Sequence, residues 1–168
     1  MRPLRRLVRE TRAAAAAELA LVMPLLLALM FGAAELGNYF YNEHILLKSV
    51  RDGARYAARQ NFAYYDTCSG SVGEPVLTNT RNLVRTALLA GGGNKFPDAG
   101  AATINVTMDC STTAGTQTMS GIYKGRASGA PRVTVTATVP YTPLLAALGF
   151  NSASLSLNAT EQAAVMGL

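Results

Sequence analysis

Between Ala13 and Ala34 the chain carries a single charge, Glu18, and from Leu19 to Ala34 it carries none. Wound as a helix at 1.5 Å per residue, this stretch reaches about 33 Å, close to the roughly 30 Å hydrocarbon core of a bilayer. It can therefore cross a membrane. Whatever follows must fold around that fact: as the exported part of an anchored protein, or as a body released when the apolar stretch is removed as a signal.

Charge placement gives the direction. The net charge of +5 and pI near 9.5 would suit a nucleic-acid binder. However, five arginines (Arg2, Arg5, Arg6, Arg9 and Arg12) against Glu10 account for nearly all of it. Beyond Ala34, the first residues (Glu35, Glu43, Lys48, Arg51, Asp52, Arg55) balance three against three. By the positive-inside bias the N-terminus stays in the cytoplasm and the C-terminal body is exported. The basicity is a topology signal, so no nucleic acid is expected as a partner. With 168 residues and 15% charged residues, against roughly 25% in an average soluble domain, the chain is unlike a conventional cytosolic enzyme.

Two readings of the leader compete. Gly32-Ala33-Ala34 offers small residues for signal cleavage before Glu35, which would release a secreted or membrane-anchored extracytoplasmic binding module. Against this, Glu18 is unusual inside a signal's apolar run, and the helical pattern continues beyond Glu35. Leu36, Tyr39, Phe40, Glu43, Leu46, Leu47, Val50, Ala54 and Ala57 recur at three- and four-residue spacings, as one helix face does. One helix to about Gln60 is predicted, about 48 residues and about 70 Å long. Pro24 removes its bond to the Ala20 carbonyl, so a kink or locally melted turn is expected there.

A basic leader, a small residue (Ala13) and a carboxylate five positions later (Glu18) at the entrance of an apolar helix resemble a type IV prepilin signal. The fuller run is Thr11-Arg12-Ala13-Ala14-Ala15-Ala16-Ala17-Glu18-Leu19-Ala20-Leu21-Val22-Met23-Pro24-Leu25-Leu26-Leu27. Glu35-Leu36-Gly37 and Val50-Arg51-Asp52-Gly53-Ala54-Arg55-Tyr56-Ala57-Ala58 follow it. In combination these resemble the TadE-like minor pilins of the tight-adherence (Flp) pilus, most closely over residues 11 to 60. The resemblance departs at Ala13, where the family usually has Gly, and at Leu19, where it usually has Phe or Tyr.

The resemblance implies cleavage by prepilin peptidase between Ala13 and Ala14. It also implies partners: other pilins or pseudopilins through the helix, and inner-membrane lipid around it. Glu18 and Pro24 would then serve assembly. A carboxylate in a membrane helix costs roughly 2.5–3.5 kcal/mol at mid-bilayer and less at the edge unless it is partnered. A freed α-ammonium at Ala14, one turn away or on a neighbouring subunit, would partner Glu18; snorkelling to headgroups is the alternative.

The predicted organisation is a leader over residues 1–13, a long helix over 14–60 with its transmembrane part at about 14–36, and an exported periplasmic head over 61–168. The expected fold class is α+β, pilin-like, with a long N-terminal transmembrane helix packed on a small antiparallel β-sheet. Asn61 to Val76 reads as a loop. A helix is expected from a Thr78 or Asn79 cap to Ala90, with Leu83, Val84, Ala87 and Leu88 on one face and Gly91-Gly92-Gly93 ending it. Strict alternation predicts strands over Thr103 to Cys110 and Arg132 to Val139, and Ser154 to Thr160 supplies a third through Leu155, Leu157 and Ala159. Ser111 to Pro131 reads as a surface connection, and Leu144 to Leu148 as a short helical turn. Cys68 and Cys110, the whole thiol inventory, are expected to pair in an oxidising periplasm, with two free buried thiols as the alternative.

Catalytic chemistry finds no footing in the sequence. His44 stands alone beside Glu43, and the acids beyond Asn61 (Asp66, Glu74, Asp98, Asp109, Glu161) are scattered singly. No enzyme activity, metal, cofactor or small-molecule substrate is expected. Asn105-Val106-Thr107 and Asn158-Ala159-Thr160 fit the glycosylation pattern but fall inside predicted strands. Arg51, Arg55 and Arg59 form an i, i+4 basic stripe, either a solvated face or a contact with headgroups or a neighbouring subunit.

Overall fold

A computed structural model describes residues 11–65, 68, 70–111, 119–126, 129–149 and 155–167. The leader through residue 10, Asp66, Ser154 and the middle of the Ser111 to Pro131 connection lie outside the described residues.

The chain forms one long helix, α1 (Thr11–Ala58, 48 residues), packed with a short helix, α2 (Val76–Thr86), against a three-stranded antiparallel sheet. The strands are β1 (Thr103–Ser111), β2 (Ala130–Pro140) and β3 (Ser156–Ala164), in the order β1-β2-β3. This is an α+β arrangement. The alternation in sequence becomes one buried sheet face: Val106 lies opposite Val135, and Ala137 lies between Ile104 and Ala159. Val133, Val135, Ala137 and Val139 of the central strand are fully buried. The other face is polar, with Thr138 Oγ1 donating to Asn158 Oδ1 and Arg132 forking onto both carboxylate oxygens of Asp109. The third strand extends to Ala164, past the expected Thr160, because β2 offers partners as far as Arg132. Leu155 lies just outside it and is exposed. Both glycosylation patterns do lie in strands, β1 and β3.

Only the C-terminal part of α1 enters this core. Leu46, Val50, Ala54 and Ala57 are buried as the spacing predicts, whereas Leu36, Phe40 and Leu47 are exposed and Tyr39 and Glu43 only half-buried. The inward stripe runs instead through Asn42, Ser49 and Gly53. These polar positions tolerate burial because their groups are used within the helix. Asn42 Nδ2 donates to Asn38 O at 2.9 Å and Ser49 Oγ to Ile45 O at 2.8 Å. Gly53 is where α2 crosses: a Cβ there would lie 2.6 Å from Val84 Cγ2. The helix runs through Pro24 without a break, so of the kink or melted turn expected there the melted turn is absent.

Helix α2 begins and ends earlier than its sequence suggests. Its cap is the Glu74 carboxylate, which accepts from both the amide and the hydroxyl of Thr78. It ends at Ala87, whose φ of 64° is left-handed and whose N–H donates to Leu83 O, before the glycines are reached. Val76, Thr80 and Val84 form the buried face, Leu83 is half-buried, and Ala87 and Leu88 are exposed. The segment expected as a loop contains a 3-10 turn, Phe62–Tyr65, that closes the end of α1. There the Tyr65 hydroxyl donates to Ala57 O at 2.6 Å, and the Met166 amide donates to Ala58 O at 2.7 Å. Cys68 and Cys110 are bonded, with Cα atoms 5.7 Å apart, tying the segment after this turn to the end of β1.

Candidate functional site

The first half of α1 is unlike the rest of the molecule. From Ala14 to Ala34 every residue is exposed, including Leu21 at 81%. Its most apolar 18-residue window has a mean hydropathy of 2.2 and no residue buried within the chain. So much contiguous apolar surface is stable only against lipid or partner helices. The helix α1 is accordingly a candidate membrane anchor.

The structure places the sequence-predicted residues along this rod. Ala13 and Ala14 lie in its first turn. Glu18 is one turn further on, exposed and without a partner among the described residues. Pro24 is mid-helix and exposed. These four share one half of one helix, whereas the Cys68–Cys110 bridge belongs to the head and is not brought near them. Arg51 and Arg55 are exposed along the head end of α1 and Arg59 just past it, Arg51 lying 3.9 Å from Glu161 on β3. His44 is exposed.

Where rod meets head, a polar clasp forms that the sequence does not single out. Glu35, the first charge after the apolar run, is half-buried and accepts three hydrogen bonds. Oε1 receives the Tyr141 hydroxyl at 2.5 Å and the Leu144 amide at 3.2 Å, and Oε2 receives the Leu145 amide at 3.1 Å. The two amides open a 3-10 turn, Leu144–Leu148, so the carboxylate caps an element more than a hundred residues away. Asn38 Nδ2 donates to the same tyrosine hydroxyl at 2.9 Å, and Tyr39 packs edge-on against the Tyr141 ring at 5.3 Å. Burial, and then the bond to Glu35, push the Tyr141 hydroxyl above the usual tyrosine range, keeping it a donor. The tyrosine stands between two prolines, Pro140 and Pro143, which lack amide hydrogens and end β2 here.

Beside the clasp lies a mainly apolar groove of about 620 Å³ between α1 and this turn, lined by Ala28, Phe31 and Gly32 on one side and Pro143, Leu145 and Leu155 on the other, with Glu35, Tyr39 and Tyr141 of the clasp at its upper end. Away from that end its lining is apolar. Among the described residues, no three His, Cys, Asp or Glu side chains gather where they could hold a metal ion.

Residues 13–55, which take in the exposed rod and the clasp's Glu35 and Asn38, match the model of a protein family described as TadE-like protein. No curated protein and no solved structure matches the chain.

Proposed function

We propose, from the premise that the TadE-like match ties this chain to a tight-adherence pilus system, that it is a minor pilin or pseudopilin acting in the initiation or growth of that pilus for surface adhesion. The observation that carries the reading is the coincidence of the family match with a helix that is bare over residues 14–34 and gripped by a head only from Glu35 onward. A rod left exposed over that length can sit in the inner membrane and then pack against equivalent rods of other pilins. The five leader arginines hold the N-terminus in the cytoplasm, so the head lies in the periplasm. Prepilin peptidase cuts between Ala13 and Ala14, and the new α-ammonium partners Glu18, in the same subunit or in the next. Its work is structural, and it has no catalytic role.

The continuity of α1 through Ala34 supports this reading over a released binding module. Cleavage at that point would divide a helix whose next residue, Glu35, is held by three donors. The substitution Glu18→Ala tests the assembly role. Membrane insertion should be unchanged, while co-purification with the other pilins falls and pili become fewer. Normal piliation by the variant would refute a role for Glu18.

A further inference from the structure

The depth of the groove beneath the clasp has a consequence for the head. Ala28 and Gly32 belong to the uncharged part of α1, yet they share a groove with Leu145 and Leu155 of the head. If the span begins at Ala14, twenty residues of helix exhaust a roughly 30 Å hydrocarbon core at Ala34. Ala28 then lies about 9 Å below the hydrocarbon surface on the head's side, and Gly32 about 3 Å below it. Starting the span earlier would draw Arg12 into lipid. Tilting the helix, or starting the span later, moves the surface further toward the head. The groove runs along α1 from Ala28 to Tyr39 and so straddles this surface, and Glu35, which holds the Leu144 and Leu145 amides, stands about 1.5 Å above it, so tilting the helix or starting the span later brings the turn into the acyl-chain layer.

A second observation, independent of depth, points the same way. Irregular backbone survives in hydrocarbon only if its polar groups are satisfied. In the 140–149 segment Pro140 and Pro143 carry no donor, and the Leu144 and Leu145 amides are taken by Glu35. The amides of Tyr141, Ala146 and Gly149 bond to Leu155 O, Pro143 O and Ala146 O. The large side chains facing outward are nevertheless apolar, with Leu144 60% and Leu155 44% exposed, and Thr142 is the exposed polar side chain among the described residues of this segment. In water this would be an apolar tip with few donors left to hydrate.

We infer that the Leu144–Leu148 turn, with Leu155 beside it, is a membrane-dipping foot, which enters the acyl-chain layer next to α1 so that the groove between them is filled by lipid acyl chains. The inference rests on the membrane-spanning reading of α1. The foot gives the head a second point of attachment and fixes its rotation about the rod, which one helix alone leaves free. Glu35, at the hydrocarbon edge, is the hinge pin, with Tyr141 and the two turn amides standing in for its water.

The chain has no tryptophan, so single-tryptophan variants report depth directly. The full chain would be placed in phosphatidylethanolamine–phosphatidylglycerol vesicles, with and without dibrominated acyl chains. Leu144→Trp and Leu155→Trp, both at exposed positions, would be compared with Leu27→Trp in the rod and Leu88→Trp on the head. The inference expects blue-shifted emission that the brominated chains largely quench at positions 144, 155 and 27, and no quenching at 88. Quenching at 27 with water-like, unquenched emission at 144 and 155 overturns the foot and leaves the span standing. No quenching at 27 removes the span and the foot with it. Blue-shifted emission at 144 that brominated lipid does not quench, and that varies with the protein-to-lipid ratio, would mean that a second copy fills the groove, and would also overturn the inference.

Discussion

Replacing Glu35 by alanine removes three acceptor contacts at once, from the Tyr141 hydroxyl and the amides of Leu144 and Leu145. Hydrogen bonds to a charged group contribute about 1.5–3 kcal/mol each when well buried. Glu35 is only half-buried, so solvent screening brings each nearer 1 kcal/mol, and the clasp as a whole is worth about 3 kcal/mol. The loss should be local, because the core beneath β2 does not include Glu35. At about 1.4 kcal/mol per factor of ten, the population in which the Leu144–Leu148 turn is detached should rise roughly 100-fold. Amide hydrogen exchange on the full chain in lipid nanodiscs reads this directly, since Leu144 and Leu145 exchange only when the turn opens. Both amides should speed up by about two orders of magnitude in Glu35→Ala, while Val133 and Val135 in the central strand hold their rates. Glu35→Gln offers a finer test. One amide oxygen can still serve Tyr141 and Leu144, but the NH2 group then faces another donor at Leu145, so Leu145 should be released more than Leu144. A change under about threefold at both amides in the alanine variant, or an equal change at Val133, would refute the clasp as the contact that holds the Leu144–Leu148 turn on α1.

The remaining predictions concern the head. Cys68 and Cys110 close a loop with a sequence separation of 42, which constrains the unfolded chain by about 4 kcal/mol, so Cys68→Ser with Cys110→Ser should lower Tm by roughly 10–15 °C. In the non-reduced protein neither cysteine should react with an alkylating agent, and labelling of both would contradict the bridge. Tyr65, buried at the end of α1, is held well above the usual tyrosine range first by burial and then by Tyr56. The folded state keeps a proton that the unfolded chain releases near pH 10, so this group leaves stability unchanged below that pH. Above it, stability falls by up to about 1.4 kcal/mol per pH unit as the pH climbs toward the folded value. Tyr65→Phe should cost about 1 kcal/mol at neutral pH by losing the bond to Ala57 O, and should soften the alkaline fall. Denaturant midpoints measured across the alkaline range check both effects, and an unchanged alkaline fall in the variant would refute the assignment.

The extent of α1 was legible because an uncharged run and a helical spacing follow each other without a breaker strong enough to divide them. Strands β1 and β2 were legible because strict alternation over eight residues has few other outcomes. The inward stripe of α1 was less so. Apolar spacing selected Leu36, Phe40 and Leu47, which are exposed, and passed over Asn42, Ser49 and Gly53, whose burial depends on intrahelical bonds and on the approach of Val84. Helix α2 starts ahead of the expected Thr78 or Asn79 because Glu74 caps from outside them, and it stops ahead of the glycines because an alanine, not a glycine, takes the left-handed conformation. The clasp was illegible for a different reason. Glu35 stood out as a charge next to an apolar run, but its partners lie 106 to 110 residues away, and no local pattern encodes that pairing.

The intact mass of the mature protein, purified from membranes, tests the central claim most directly. A chain beginning at Ala14 is predicted, having lost the whole arginine leader and kept Glu18 as its fifth residue. A chain beginning at Glu35 would have discarded the rod, and one still beginning at Met1 would never have been processed as a pilin. Either result would contradict the account.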